Sequence, residues 1–223
     1  MMIAKFILVA VIGYLLGSIP FGLIVSKLQA RVDIRNFGSG RTGGTNVLRT
    51  LGRKAFVMVA IGDLLKAASA VLLAGAIIND GYLLIGNVEL GMLAAQTIAG
   101  LAAILGHIFP VFAKFKGGRG VATFIGGLAA ICPVAAIFGG EILIIGAGLS
   151  GFASLGSITG AVSAYAIMIP LTLMYGVPFE YLLYVLIGTL IIVIAHRDNI
   201  KRLLSGKERK LNQKAELNSR QAA

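Results

Sequence analysis

Apolar residues run through this chain in blocks longer than a soluble domain uses. The blocks fall at 3–27, 55–78, 82–112, 121–153, 158–176 and 180–195, separated by short polar or glycine-rich connections. Blocks of roughly 20 apolar residues predict membrane-spanning helices. No alternation of period two persists along any block, and lipid admits only helices or closed barrels. The pattern therefore predicts an all-α integral membrane protein without strands. The first block follows Lys5 as a signal peptide would, but it outlasts the usual apolar core of roughly 7–15 residues. No small-residue cleavage site follows, so it reads as a span. As one helix, the block 121–153 would reach roughly 50 Å, too long for one ordinary crossing. Pro133 and the Gly-Gly-Glu at 139–141 interrupt it, which divides it into spans at 121–138 and 141–153.

Charge sets the direction of these spans. Lys27, Arg31, Arg35, Arg41, Arg49, Arg53 and Lys54 flank the first connection. Lys114, Lys116 and Arg119 occupy 113–119, and eight more basic residues lie between Arg197 and Arg220. The connections near 79–81, 139–141 and 177–180 carry Asp80, Glu141 and Glu180 and no basic residue. The positive-inside rule places 28–54, 113–119 and the tail in the cytoplasm. An even number of crossings must join 119 to 196, so 121–153 crosses twice. The expectation is seven transmembrane helices, with the N-terminus outside and the C-terminus cytoplasmic. Residues 1–205 form the membrane domain, and 153–158 is a cytoplasmic connection. Residues 197–205 predict a short interfacial helix with Ile200, Leu203 and Leu204 toward lipid. Residues 206–223 read as a basic, disordered tail.

Composition agrees with that reading. Of 223 residues, 57% are hydrophobic and 13% charged, which excludes both an ordinary soluble globule and a disordered chain. The net charge of +11 then marks cytoplasmic loops rather than nucleic-acid binding. A single cysteine, Cys132, excludes an internal disulfide framework and any multi-cysteine metal site. With only two histidines, a dedicated metal site is not expected.

The unusual residues gather in four segments assigned to one membrane face. In 33–52, Gly38, Gly40, Gly43 and Gly44 are interleaved with Ser39, Thr42 and Thr45. Glycines let successive backbone N–H groups converge on an anion, hydroxyls add donors, and Arg41 and Arg49 add charge. Gly38 and Gly43 have P-loop spacing, but Gly44 stands where the lysine belongs, which argues against a nucleotide site. The competing reading is a flexible glycine-rich loop with basic residues obeying the inside rule. In 114–120, Lys116, Gly117, Gly118 and Arg119 lead into a predicted helix whose N-terminus favours an anion. A tight turn between spans explains this segment equally well. Ser154 and Ser157 offer hydroxyls or helix caps. His196 and Asn199, at i and i+3, share a helical face, and His196 alone reads as a helix-terminal residue. His107 reads as structural. Asp63 and Lys66 are intramembrane and spaced for an internal pair, which serves structure or positions the loop above it. No HxxxxD acyltransferase signature and no CDP-alcohol transferase aspartate cluster occurs. Two anion nests on one face suit two phosphate groups held near each other at a lipid surface.

The motifs occur in a specific order. They are GSIPFG (17–22), DIRNFGSGRTGGTNVLR (33–49), DLLK (63–66), GHIFPVFAKFKGGRGVAT (106–123), SLGS (154–157) and HRDNIKRLLSGKE (196–208). Over nearly its full length the chain resembles the bacterial acyl-phosphate:glycerol-3-phosphate acyltransferase family. It departs from the family pattern at Arg41 (usually asparagine), Gly43 (usually alanine), Ala67 (usually glycine) and Arg119 (usually lysine). The resemblance implies transfer of a fatty acyl group from acyl phosphate to the 1-hydroxyl of glycerol 3-phosphate. The implied products are 1-acylglycerol 3-phosphate (lysophosphatidate) and inorganic phosphate, formed at the inner membrane in phospholipid synthesis. It implies no cofactor, acyl-CoA, acyl carrier protein or metal, and no nucleic-acid partner. Carried onto this sequence, Ser39, His196 and Asn199 are the candidate catalytic residues. Gly38, Gly40, Arg41, Thr45, Asn46, Arg49, Lys116, Gly117, Gly118, Arg119, Ser154 and Ser157 are the candidate substrate and phosphate ligands. A transporter for a phosphorylated metabolite is the rival class. It predicts anion ligands near the bilayer midplane rather than at one surface.

Overall fold

The computed structural model describes residues 2–215. The protein is overwhelmingly helical, with α1 Met2–Gly17, α2 Phe21–Ala30, α3 Gly44–Leu51, α4 Arg53–Ile78 and α5 Met92–Ile108. These are followed by α6 Val121–Ile131, α7 Pro133–Ser150, α8 Ala153–Tyr175, α9 Phe179–Ala195 and α10 Arg197–Leu204. Five helical segments are long and apolar enough to cross a membrane, and α9 with α10 makes a sixth if that bent pair is one span. The bend between α9 and α10 is 58°. α6 is apolar but only 11 residues long.

Three boundaries differ from the sequence reading. Leu83–Ile85 (β1) and Val88–Leu90 (β2) pair as an antiparallel hairpin, although no strand was expected. Gly86, at φ 61°, makes the turn, and a three-residue strand is too short to show a period-two pattern. The break in 121–153 falls at Cys132–Pro133, not at 139–141. Pro133 lacks an N–H and fits the first turn of a new helix, so it ends α6 and opens α7. Gly139 instead lies inside α7, against Gly160 and Ala164 of α8. The connection expected at 153–158 is the first turn of α8, and only Gly151 and Phe152 separate it from α7.

Packing fixes the directions of the helices. Gly13 and Gly17 of α1 meet Ala99 and Ala103 of α5, so these two helices run parallel. Tyr181 and Tyr184 of α9 meet Gln96 and Gly100 of α5, so α9 is parallel to them. α4 runs the other way, with Lys66 against Ile19 and Lys5 against Ile77. α7 and α8 are antiparallel, with Gly139 near Ala164 and Gly156 near Leu143 and Ala147. Apolar burial cannot drive helices together in lipid, so close backbone approach through small residues does this instead. The outward faces carry exposed large apolar residues such as Ile7, Leu72, Ile144 and Leu173. One end of the bundle therefore collects the 31–43 loop, the 109–120 loop, the α9–α10 corner and the start of α8.

A Cβ at Gly17 would overlap the Ala103 backbone, whereas one at Gly140 meets nothing within 4 Å. Gly17→Val should lose about 1–3 kcal/mol through overpacking, while Gly140→Ala stays neutral or slightly stabilising. Thermal unfolding in detergent checks this, and equal Tm values for the two variants would contradict the packing account.

Candidate active site at one end of the bundle

The 33–46 loop is organised by one side chain. Buried Asn46, in the first turn of α3, donates its Nδ2 to the carbonyls of Ile34 (3.0 Å), Phe37 (3.0 Å) and Arg41 (2.9 Å). Its Oδ1 accepts the Ser39 N–H at 3.0 Å. Asn46 was expected to touch substrate, but its amide is fully committed to the loop. Gly38 and Gly40 take φ 53° and 69°, a conformation costly for any residue with a Cβ, which lets this loop turn tightly. Ser39 and Arg41 are thereby presented at the end of the bundle. Thr45 opens α3 beside them.

The 114–120 loop is seated on the end of α5. Gly118 donates its N–H to the His107 carbonyl at 3.1 Å, and Lys116 donates its N–H to Ala113 at 3.2 Å. These two amides are therefore not free donors of an anion nest, as the spacing had suggested. A Cβ at Gly117 or Gly118 would strike His107, so both glycines serve close packing. Lys114 and Phe115 hold consecutive left-handed conformations, φ 55° and 59°, which turn the chain so that Lys116 and Arg119 face the other loops. Arg41 makes a long contact, 3.4 Å, to the Gly118 carbonyl and ties the two loops together.

The third wall is the α9–α10 corner with the start of α8. His196 caps α9 and is 2% exposed. Its Nδ1 lies 2.8 Å from the Ile192 carbonyl, which assigns the proton to Nδ1 and leaves Nε2 as an acceptor. Burial, and next the Arg119 guanidinium, push its pKa down to about 4, so the ring is neutral at pH 7. Glu208 receives Ser154 Oγ at 2.9 Å, Asn199 Nδ2 at 2.6 Å and Arg202 Nε at 2.7 Å. Burial alone would raise its carboxyl, but these three donors outweigh it and hold it below the usual carboxylate range. Ser157 lies one turn further along α8 and donates to its own helix at Ala153, 2.7 Å.

The tail is part of this wall. Arg49 donates Nε to the Lys210 carbonyl at 3.1 Å and a terminal nitrogen to Arg209 at 2.8 Å. Leu211 donates its N–H to Gly151, and Ala215 donates to Arg49. Residues 206–215 are thus ordered against the site, in place of the disorder expected from 206 onward. The rest of that tail lies outside the described residues. α10 forms where the interfacial helix was predicted.

Electrostatics single out Arg119. Its Nε is shielded from solvent and has no hydrogen-bond partner among the described residues. Burial first, then the nearby Arg41, Arg202 and Arg49, lower its pKa to about 10 against the opposing pull of Glu208. The Asn199 Oδ1 is likewise buried without a partner. An unpaired buried guanidinium in a surplus of like charge is costly unless an anion joins it. A cavity of about 550 Å³ opens among the same loops. Ser39, Arg41, Lys116 and Arg197 line its polar side, and Leu105, Ile108, Ile191 and Ile194 its apolar side between α5 and α9. The apolar wall, Arg202 and Glu208 were not among the residues singled out from sequence. Glu208 carried one signal there, an isolated acid in a basic stretch.

A lipid-facing helical bundle with a cation cluster and an amphipathic cavity at one end is the frame in which membrane proteins handle anionic lipid chemistry. The family profile described as glycerol-3-phosphate acyltransferase matches residues 7–206. The chain is 65% identical to "Glycerol-3-phosphate acyltransferase 3" of Dehalococcoides mccartyi, over 96% of this chain and all of that protein. It is 39% identical to a glycerol-3-phosphate acyltransferase of Thermoanaerobacter pseudethanolicus, over 95% of this chain and 98% of that one. Its fold is similar to the crystal structure of PlsY (YgiH), an integral membrane glycerol 3-phosphate acyltransferase, in its glycerol 3-phosphate form. That match has a TM-score of 0.79 and 37% identity, covering 92% of this chain and 94% of that one. The chain belongs to the glycerol-3-phosphate acyltransferase family and is a bacterial integral membrane protein.

The role assigned to Asn46 has a direct test. Asn46→Asp sets a carboxylate against three carbonyl oxygens, so it should destabilise more than Asn46→Ala, which costs about 2–4 kcal/mol for the orphaned groups. Thermal unfolding in detergent ranks the two. An aspartate variant as stable as the wild type would contradict this role.

Proposed function

We propose that this protein transfers a fatty acyl group from acyl phosphate to the 1-hydroxyl of glycerol 3-phosphate. The products are 1-acylglycerol 3-phosphate and inorganic phosphate. The observation that carries the reading is the amphipathic cavity lined by Ser39, Arg41, Lys116 and Arg197, set in a cation cluster that includes Arg119 with its buried, unpartnered Nε. One wall suits a fatty chain, and its rim and neighbour suit two phosphates. The kinship to enzymes named for glycerol 3-phosphate supports the acceptor. The cations at the cavity mouth support an anionic, phosphorylated acyl donor.

In this reading the acyl chain lies against Leu105, Ile108, Ile191 and Ile194, with its phosphate toward Ser39, Arg41 and Lys116. The phosphate of glycerol 3-phosphate meets Arg119, beside Ser154 and Asn199. Holding both anions supplies proximity, worth several kcal/mol of barrier. The neutral His196 accepts the 1-hydroxyl hydrogen bond at Nε2 and aims the oxygen at the acyl carbon. The new ester C–O bond forms as the acyl C–O bond to phosphate breaks. The hydroxyl proton passes to an oxygen of the departing phosphate, so no separate base is required. Arg41, Lys116 and Ser39 stabilise the charge that develops on that leaving group.

The topology belongs to the same proposal. α1 with α2, then α4, α5, α6, α7, α8 and α9, give seven crossings, starting outside and ending in the cytoplasm. The basic residues Arg31, Lys114, Lys201 and Lys207 share the end that carries the site, which supports its facing the cytoplasm. Asp80 and Glu89 mark the other end. Grouping of the ligands at one surface favours an enzyme over a transporter.

Purified protein in detergent, given palmitoyl phosphate and glycerol 3-phosphate, should release inorganic phosphate, and palmitoyl-CoA should not replace the donor. Turnover with palmitoyl-CoA alone would overturn the donor assignment. His196→Ala should lose about 10²–10³-fold in kcat with both substrates saturating, and a loss of about 10⁴ or more would make the ring an obligatory base. The neutral ring is the active form. Activity should therefore stay level as pH falls from about 8 to 5.5 and drop as pH passes through about 4. An inflection near the ordinary histidine value of about 6.5 would contradict the buried, neutral assignment.

A further inference from the structure

Beneath the loops lies a buried ionic cluster that the chemistry above does not use. Asp63 and Lys66 of α4 pair at 2.8 Å, and both side chains are almost wholly buried. Lys66 Nζ also donates to the Ile19 carbonyl at 3.0 Å and lies 3.0 Å from His107 Nδ1. The same His107 Nδ1 lies 3.3 Å from Asp63 Oδ1, so the three side chains form one buried cluster.

Each partner leads to a different part of the site. Ile19 lies at the break between α1 and α2, where Pro20 interrupts the helix and frees carbonyls for other donors. From that break α2 runs on toward the loop carrying Ser39 and Arg41, and Gly22 packs against the Thr42 carbonyl. His107 ends α5, takes the Gly118 N–H on its carbonyl, and stands where any Cβ at Gly117 or Gly118 would be. Lys116 and Arg119 flank those two glycines. One lysine therefore braces both anion-facing loops from below.

A charged pair is an expensive way to hold helices in lipid, where packing of small residues does the same at lower cost. What ion–dipole contacts add is a fixed distance: one ammonium nitrogen within about 3 Å of the Ile19 carbonyl, the Asp63 carboxylate and the His107 ring sets them relative to one another. We propose that Asp63, Lys66 and His107 are positioning residues that set the separation of the 33–46 and 114–120 loops, and with it the affinity for the two phosphorylated substrates. This rests on the acyltransferase reading above. They touch no substrate themselves and act through Gly117, Gly118 and the α1–α2 break.

The test is a series at His107 together with Lys66→Met and Asp63→Asn, singly and combined. Asparagine places an amide oxygen near the position of Nδ1 and keeps the Lys66 contact, whereas leucine removes it. His107→Leu should raise KM for glycerol 3-phosphate and palmitoyl phosphate about tenfold with kcat changed by less than about threefold, and His107→Asn should restore most of the affinity. The combined Asp63→Asn/Lys66→Met variant leaves no unpaired charge and should reproduce the leucine phenotype. Folded variants with wild-type KM for both substrates, and only a lower Tm, would show a merely structural role and overturn the inference. Should the α4 variants fail to fold, the comparison of leucine with asparagine at His107 decides alone. Wild-type enzyme assayed in parallel separates the two failures. An inactive wild type refutes the acyltransferase reading, and with it this inference, whereas an active wild type with indifferent variants refutes only the positioning role.

Discussion

The site depends on a surplus of positive charge held where water is scarce. Arg41, Arg49, Arg119 and Arg202 converge, and Glu208 supplies the compensating carboxylate. The lowered pKa of Arg119 records its burial first and the repulsion of its like-charged neighbours second. The fold must hold such a cluster against its own electrostatics. In the proposed function an arriving phosphate removes part of that strain, so the arrangement that costs stability in the free protein would favour binding of the substrate's anionic group.

Several features of the structure follow from that need. The cluster draws on segments far apart in the chain, and each is fixed by local bonds rather than by bulk apolar packing. Asn46 ties the first loop. His107 seats the second, and Glu208 clamps α8 to α10. Arg49 holds the tail across them. The glycine-lined contacts among α1, α5, α7 and α8 bring the helix ends close enough for those loops to meet. The apolar side of the cavity is then a consequence of where α5 and α9 end.

Much of the helical layout was legible in the sequence, because a lipid-spanning helix needs a long apolar run whatever it packs against. The Pro133 break shows the limit. Gly-Gly-Glu and proline both interrupt a pattern, and only the pairing of Gly139 with Gly160 and Ala164 reveals that Gly139 serves packing rather than a break. The hairpin at 83–90 was hidden because its residues are as apolar as the helix that follows. At the site, residue type identified who gathers there but not what each does. Asn46, Gly118 and Arg49 were read as substrate ligands, yet they bond the protein to itself. Leu105, Ile108, Ile191 and Ile194 were invisible because an apolar residue in a span carries no mark of facing a cavity.

Distant loops meet at one end of the bundle around a shared cluster of cations. Side-specific labelling tests this most directly. In a Cys132→Ala background, single cysteines at Ser39, Lys116 and Arg197 are exposed to an impermeant maleimide in sealed vesicles of known orientation. All three should react from the cytoplasmic face and be protected together from the other. Reaction of Ser39→Cys and Arg197→Cys from opposite faces would contradict the account, since no common site could then form.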